Sequence, residues 1–157
     1  MCTIEKRRRR LGFSLIELLI VISIILIILA IALPKFNKAT MQAREMAAIA
    51  TVKTLHAAEA QYYSTYGRYA LNLQELGKPT SGAASATSAD LIGTDLAKGE
   101  KQGYRYNLQS SPQGYTINAD PVAFGSTGGR TFFSDQSQEV HVHSGQEPAT
   151  ANDPEIK

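Results

Sequence analysis

The pattern of apolar and polar residues divides the chain into an apolar segment, a segment with helical periodicity and a segment with strand alternation. The apolar segment runs from Phe13 to Leu33 and contains a single charged residue, Glu17. At about 1.5 Å per residue it forms a helix of about 32 Å, which matches the hydrocarbon core of a bilayer. This segment therefore predicts a membrane-spanning helix.

The second segment predicts that the helix continues beyond Pro34. Residues 35–66 contain no Gly or Pro and are rich in helix-forming residues. Their apolar positions recur at intervals of three or four, at Ala48, Val52, Leu55, Ala58, Tyr62 and Tyr66. Because Pro34 lacks a backbone donor and clashes with the carbonyl of Ala30, we expect the helix to bend or loosen there. One interrupted helix from about Ser14 to Tyr66 follows, with an apolar stripe that packs on a folded domain.

Strand alternation begins at Tyr104 and predicts a small antiparallel sheet. Apolar and polar residues alternate over 104–108 and 115–120, with a turn between them, which is typical of a hairpin. Two further short strands are predicted over 130–134 and 139–143. Since the apolar face of such a sheet needs a cover, the long helix is expected to lie on it.

The fold class predicted from these patterns is α+β, with a long N-terminal helix, its lower half transmembrane, packed on a four-stranded antiparallel sheet. Residues 67–103 contain a run of small polar residues and predict a surface loop. The tail has no apolar pattern and is expected to be loosely ordered. The predicted organisation is a basic leader (1–12), a membrane helix (13–33) and an exported domain (34–157), the last divided into an amphipathic helix half (34–66), a variable loop (67–103), a sheet (104–143) and a tail (144–157).

Charge gives the predicted topology. Lys6 and the four arginines Arg7–Arg10 precede the apolar segment, and no comparable cluster follows it, so the N-terminus is expected in the cytoplasm and the remainder across the membrane. A carboxylate inside the span costs roughly 2.5–3.5 kcal/mol at the bilayer centre, which makes Glu17 a functional candidate. In the alternative interpretation, Glu17 lies one turn into the helix and snorkels towards the cytoplasmic interface beside a cation such as Arg10.

The N-terminal motif resembles a known processing site. The residues Leu11-Gly12-Phe13-Ser14-Leu15-Ile16-Glu17, between a basic leader and an apolar helix, are similar to the N-terminus of type IV pilins and type II secretion pseudopilins. The resemblance implies cleavage after Gly12 by a prepilin peptidase and N-methylation of Phe13. It also implies that Glu17 of one subunit neutralises the Phe13 amine of a neighbour during fibre assembly.

The resemblance further implies a homo-oligomeric fibre as the product and an inner-membrane assembly platform and membrane lipid as partners. The precursor would be a single-pass protein of the bacterial inner membrane. Coulomb's law supports the pairing of the Phe13 amine with Glu17. An amine and a carboxylate about 4 Å apart attract by about 4 kcal/mol at an effective dielectric of 20, before desolvation is subtracted. We also expect an extended or irregular segment near Pro34 in the fibre and only a bend in the isolated subunit.

Two alternatives remain for the N-terminus. A conventional signal peptide also has a basic start, and Ala30-Ile31-Ala32 fits its cleavage pattern, but its apolar region is normally shorter and lacks an acid. A simple single-span anchor for a periplasmic binding domain accounts for the length and the charge bias. That alternative gives no reason for Gly12, Phe13 and Glu17 to occur together.

Composition limits the remaining functions. Loss of residues 1–12 removes five of the sixteen Lys and Arg and one of the fourteen Asp and Glu, which leaves eleven basic and thirteen acidic residues. No basic patch then predicts specific nucleic-acid binding. Cys2 is the single cysteine and lies in the leader. The mature chain thus departs from the many pilins that carry a C-terminal disulfide.

Chemical motifs after the membrane helix are few, and neither an enzyme nor a cofactor is predicted. His141 and His143 share one strand face, but no third metal ligand is evident, which favours an exposed polar face. Asp135, Ser137 and Glu139 offer oxygen ligands at alternating positions, but the glycine of a calcium-binding turn is absent between them. No metal site is predicted. The tyrosines Tyr62, Tyr63, Tyr66 and Tyr69 are expected to pack against the sheet, the alternative being an aromatic lining of a conductive or adhesive fibre.

Overall fold

The structure is a computed structural model that describes residues 13–111 and 113–156. The predicted leader, with Cys2 and Gly12, lies outside the described residues. The chain divides into two compact units, Met1–Phe36 and Asn37–Lys157. Its elements in order are α1 (Leu15–Tyr66), α2 (Leu73–Leu76), α3 (Thr94–Ala97), β1 (Glu100–Lys101), β2 (Tyr104–Ser111), β3 (Gly114–Pro121), β4 (Thr131–Asp135) and β5 (Val140–His143).

The predicted long helix is confirmed as α1, which has 52 residues and contains Pro34 in its interior. It contains no glycine until Gly67, whose φ of 72° takes the left-handed conformation that commonly ends a helix. The Gly67 amide donates a hydrogen bond of 2.8 Å to the carbonyl of Tyr63. A helical path therefore persists on both sides of the proline, as the uninterrupted composition of residues 35–66 predicts.

The sheet has five antiparallel strands in the order β1-β2-β3-β4-β5, so every strand pairs with its neighbours in the sequence. The predicted α+β class is confirmed, while the predicted count of four strands is one too low. The additional strand, β1, has only two residues and pairs with the start of β2 across a tight turn at Gln102 and Gly103, where both residues have positive φ. Two residues are too few to produce a recognisable alternation in the sequence.

The second unit is built around one side of α1 and one face of the sheet. Of the stripe predicted from the sequence, Ala48, Val52, Leu55 and Tyr62 are fully buried, and Ala58 is nearly so. They form one cluster with buried residues of the strands, including Tyr104, Leu108, Ile117 and Phe132. Tyr66 is only partly buried at the edge of this cluster.

The C-terminal segment differs from its prediction as a loosely ordered tail. The Ile156 amide donates to the carbonyl of Val140 at 2.8 Å, and the Val142 amide donates to that of Pro154 at 2.9 Å. Ala149 is buried, and Ile156 packs against the core. Because backbone groups and two isolated apolar residues hold the segment, no periodic pattern marks it in the sequence.

Candidate functional site

The proposed processing site begins with Phe13, whose side chain is 79% exposed. Phe13 and Ser14 precede α1, and the Ser14 carbonyl accepts hydrogen bonds from the amides of Glu17 (3.1 Å) and Leu18 (3.2 Å). These bonds start the helix immediately after Ser14. The backbone at Phe13 is therefore outside the helical hydrogen-bond ladder, as a bond presented to a protease needs to be. Gly12, on the other side of the predicted cleavage site, lies outside the described residues.

Glu17 lies in the first turn of α1, where the positive end of the helix dipole favours a carboxylate. Its side chain is exposed, and no residue that the structure describes forms a salt bridge with it. The carboxylate is thus available to a cation from outside the described chain. That arrangement is what the predicted pairing with the amine of a neighbouring subunit requires.

The rest of the first unit presents apolar side chains on every side of the helix. From Leu15 to Phe36 all large apolar residues are exposed, and the most apolar window contains no buried residue. Its Ser23 hydroxyl donates to the Leu19 carbonyl at 2.7 Å, which satisfies this polar group within the helix. Among the described residues, α1 is the helix long and apolar enough to cross a membrane by length and composition.

The second unit contains a helix-to-loop ion pair that the sequence did not reveal. Glu45 on α1 is 7% exposed at its side chain and accepts from the Arg130 guanidinium, with N–O distances of 2.8 Å from Nε and 2.7 Å from Nη2. Its other oxygen accepts from the Gly129 amide at 2.9 Å. This pair fastens α1 to the segment that leads into β4.

A second buried acid of α1, Glu59, has no exposed surface. Its Oε2 accepts from the Ala70 amide at 3.0 Å, while its Oε1 has no hydrogen-bond partner among the described residues. Burial raises the pKa of Glu59 to about 7, and the neighbouring carboxylate of Glu75 adds to this increase. The Ala70 amide and the Arg68 cation oppose the rise. The pKa of Glu59 thus lies near neutrality.

The neighbouring carboxylate, Glu75, has a lowered pKa where that of Glu59 is raised. Although burial alone would raise its pKa, hydrogen bonds from Arg68 (2.8 Å), the Leu71 amide (3.0 Å) and the Tyr62 hydroxyl (3.0 Å) hold the pKa of Glu75 below its usual range. Glu75 therefore stays ionised and fastens the chain after α1 to the end of that helix.

His56 joins α1 to two strands of the sheet. Its Nδ1 lies 2.6 Å from the Tyr115 hydroxyl and its Nε2 lies 2.7 Å from Ser134 Oγ. Because the Ser134 hydroxyl donates to the Glu139 carbonyl, it accepts from His56 Nε2–H, so Nδ1 accepts from Tyr115. Burial lowers the pKa of His56, which agrees with this neutral tautomer.

The candidate metal ligands have other roles. The Nδ1 atoms of His141 and His143 lie 2.7 and 2.9 Å from the carbonyl and the carboxylate of Asp153. The Asp135 carboxylate accepts from the Ser137 amide at 2.8 Å and so closes the β4–β5 turn. In residues 13–111 and 113–156, no group of three or more His, Cys, Asp or Glu side chains is arranged to hold a metal ion.

The buried acids and His56 were missed because polar residues on a helix are ordinarily assigned to its exposed face. One signal was available. Glu45, Val52 and Glu59 are spaced by seven residues, so both acids continue the buried stripe. A charged residue at such a position indicates an internal partner.

Comparisons with known proteins support the N-terminal interpretation. The model of the prokaryotic N-terminal methylation motif matches residues 7–33. The type IV major pilin protein PilA of Myxococcus xanthus is 39% identical over 69 residues, which cover 44% of this chain and 31% of the relative. A fimbrial protein of Neisseria meningitidis serogroup B is 39% identical over 70 residues, covering 45% of this chain and 41% of the relative.

The type IV major pilin protein PilE1 of Neisseria gonorrhoeae is 38% identical over 66 residues, covering 42% of this chain and 40% of the relative. The chain thus spans about a third to two fifths of the length of these curated relatives. The predicted resemblance to type IV pilins is confirmed, and the names of these relatives describe pilins and fimbrial proteins rather than enzymes. The roles of Gly12, Phe13, Glu17 and Pro34 stay predictions.

Proposed function

We propose, from the methylation motif and the similarity to type IV major pilins, that this chain is the precursor of a structural fibre subunit. The observation that carries the proposal is the first part of α1. It exposes apolar side chains throughout, and its one acid, Glu17, has no salt-bridge partner in the part of the chain that the structure describes. Such a helix needs lipid or other helices around it and a cation opposite Glu17.

In this proposal a prepilin peptidase cuts between Gly12 and Phe13 and the new amine of Phe13 is methylated. The removal of the leader takes away the arginine cluster and leaves one cation at the start of the helix. Cleavage therefore converts a chain held at the cytoplasmic face by five cationic side chains into one whose terminal amine pairs with Glu17 of a neighbour. The pair would fix the axial register between helices that otherwise present mainly apolar surface.

A type IV pilus is favoured over a type II secretion pseudopilus, because the matched relatives are named as type IV major pilins and fimbrial proteins. The proposed precursor is a single-pass protein of the bacterial inner membrane with a cytoplasmic N-terminus, and an assembly platform in that membrane would extract it. The second unit would then be exported and would form the outer part of the fibre.

Mass spectrometry of the mature N-terminus in the producing bacterium tests the proposal. We expect a chain that begins at a methylated Phe13. The matched control is Gly12→Leu, which should leave the leader attached, because a branched side chain at the cleavage site blocks access to an extended backbone. A mature chain that begins at Met1, or one cut after Ala32, would refute the proposal.

A further inference from the structure

Two cavities lie beside the C-terminal end of α1 in the second unit. The larger has a volume of about 510 Å³ and is lined by the chain after α1 and the end of β2, and the smaller has about 210 Å³ and is lined by the β4–β5 turn. Both cavities are lined by Tyr63 and Tyr69. We call the surface formed by these two tyrosines with Ser110, Gln113 and Gln138 the tyrosine groove. The larger volume is within the range of about 300–1,000 Å³ of small-molecule sites.

Aromatic rings form the centre of the tyrosine groove. The ring of Tyr63 is 49% exposed, although the tyrosines at the end of α1 were expected to pack against the sheet. Its centroid lies 4.7 Å from that of Tyr69, whose ring in turn lies 4.9 Å from that of Tyr115. Because neighbouring rings support Tyr63, an exposed aromatic face is held in place, and little side-chain entropy is lost when a ligand covers it.

The polar groups of the groove have unused hydrogen-bonding capacity. The hydroxyls of Tyr63, Tyr69 and Ser110 and the amides of Gln113 and Gln138 make no side-chain hydrogen bond to another described residue. Hydroxyls and amides both donate and accept hydrogen bonds. The groove thus combines an aromatic face with neutral groups of both kinds.

Charge excludes several classes of ligand. Among the described residues, Arg68 is the one charged side chain that lines either cavity. Its guanidinium already pairs with Glu75 at 2.8 Å and lies 5.3 Å from the centroid of the Tyr62 ring. A nucleic acid or phosphorylated ligand would therefore find no unpaired cation in the groove, and cations dominate the binding of such ligands.

From these contacts we propose that the tyrosine groove binds a neutral carbohydrate. A sugar ring has an apolar C–H face that can stack on Tyr63 and hydroxyls at its rim that can pair with the amides and hydroxyls around it. The two cavities on either side of the tyrosines would accept consecutive sugar units. This inference goes beyond the proposed fibre role and rests on the second unit alone.

The test uses the full chain in lauryldimethylamine oxide, since a maltoside detergent would carry a competing sugar. The probes are maltohexaose, cellohexaose, chitohexaose and lacto-N-neotetraose, and binding is measured by saturation-transfer NMR and by tyrosine fluorescence. The chain contains seven Tyr and no Trp, so the fluorescence reports tyrosine environments directly. We expect saturable binding of at least one probe.

Three variants locate the site. Tyr63→Ala should weaken binding about tenfold, which corresponds to the loss of one aromatic contact, while Tyr63→Phe should retain most of it. Gln113→Ala should weaken binding without affecting the aromatic ring. The matched control is Phe124→Ala, because Phe124 is similarly exposed at 43% and lies outside both cavities. Circular dichroism establishes that each variant is folded.

Three results would overturn the proposal. The first is no saturable binding of any of the four probes. The second is equal binding by the wild type and Tyr63→Ala. The third is a stronger response to a Tyr- and Leu-containing peptide or to single-stranded DNA that is lost in Tyr63→Ala, which would assign the groove to another class of ligand.

Discussion

The two parts of α1 differ in the burial and bonding of their acidic residues. In the first unit Glu17 is exposed on an apolar helix without a salt-bridge partner among the described residues. In the second unit Glu45 and Glu59 are buried, and each accepts a hydrogen bond from a backbone amide outside the helix. The later acids thus stabilise the chain's own fold, whereas the role predicted for Glu17 requires a cation from a neighbouring subunit.

The largest effect that follows concerns Glu17. We expect Glu17→Ala to abolish or strongly reduce fibres, because it removes the partner of the proposed Phe13 amine. Membrane insertion should persist, since a charge that costs roughly 2.5–3.5 kcal/mol at the bilayer centre is lost. Electron microscopy of sheared fibres and fractionation of membranes measure the two outcomes.

Glu17→Gln is the matched control, because it keeps the shape of the side chain and removes its charge. If the charge is required, this variant should also form few or no fibres. Normal fibres in both variants would remove Glu17 from the assembly mechanism. A changed melting temperature of the second unit in either variant would contradict the separation of roles between the two parts of α1.

The second effect is the pH dependence introduced by Glu59. Because its folded pKa of about 7 is above the ordinary value of 4.5, the folded state holds the proton more tightly than the unfolded state. Its contribution to stability is therefore complete below pH 4.5 and is lost as the pH rises towards 7. The difference between the two pKa values corresponds to a loss of roughly 3 kcal/mol in the free energy of unfolding across this pH range.

Urea denaturation of the wild type and Glu59→Gln from pH 4.5 to 8 measures this effect. The free energy of unfolding of the wild type, relative to that of Glu59→Gln, should fall as the pH rises to about 7 and then level off. Comparison at each pH is needed because His56, whose pKa burial lowers, contributes stability above pH 6.5 that is lost as the pH falls. A difference that does not vary with pH would show that Glu59 does not titrate in this range.

A smaller effect is expected at the ion pair of Glu45. Glu45→Ala should lower the free energy of unfolding by about 2 kcal/mol, because charged hydrogen bonds to Gly129 and Arg130 are lost. Arg130 is 38% exposed at its side chain and can be hydrated afterwards, which limits the cost. Fibre formation should continue wherever the second unit stays folded, in contrast to Glu17→Ala. An unchanged midpoint in urea would show that the pair contributes nothing.

The smallest effect on the second unit is expected at Pro34. Pro34→Ala restores a backbone donor inside α1 and should leave the thermal midpoint of the second unit unchanged, because Pro34 lies in the first. In fibres we expect the variant to be stiffer or less stable, since wild-type Pro34 is predicted to begin an extended segment there. A fibre map with unbroken helical density through residues 30–40 of the wild type would contradict that segment.

The sequence predicts those features whose signal is repeated or strictly spaced. The stripe of α1 and the β2–β3 hairpin are repeated patterns of apolar residues, and Gly12, Phe13 and Glu17 have the spacing of a motif. The remaining features depend on groups that have no pattern. β1 is two residues long, the C-terminal segment is held by backbone bonds, and the tyrosine groove joins turns that are distant in the sequence.

The C-terminal segment has a consequence for association between copies. β5 would be an edge of the sheet, but the chain after it returns and occupies its outer backbone groups through Pro154 and Ile156, with Asp153 bound to both histidines of the strand. On the opposite side, the two residues of β1 cover only the start of β2, so the rest of β2 has no neighbouring strand there among the described residues. Exposed strand edges invite pairing with another chain, and covered or short edges discourage it. Crowded copies of this domain are thus protected from pairing through β5, and any pairing between sheets would have to use the outer side of β2.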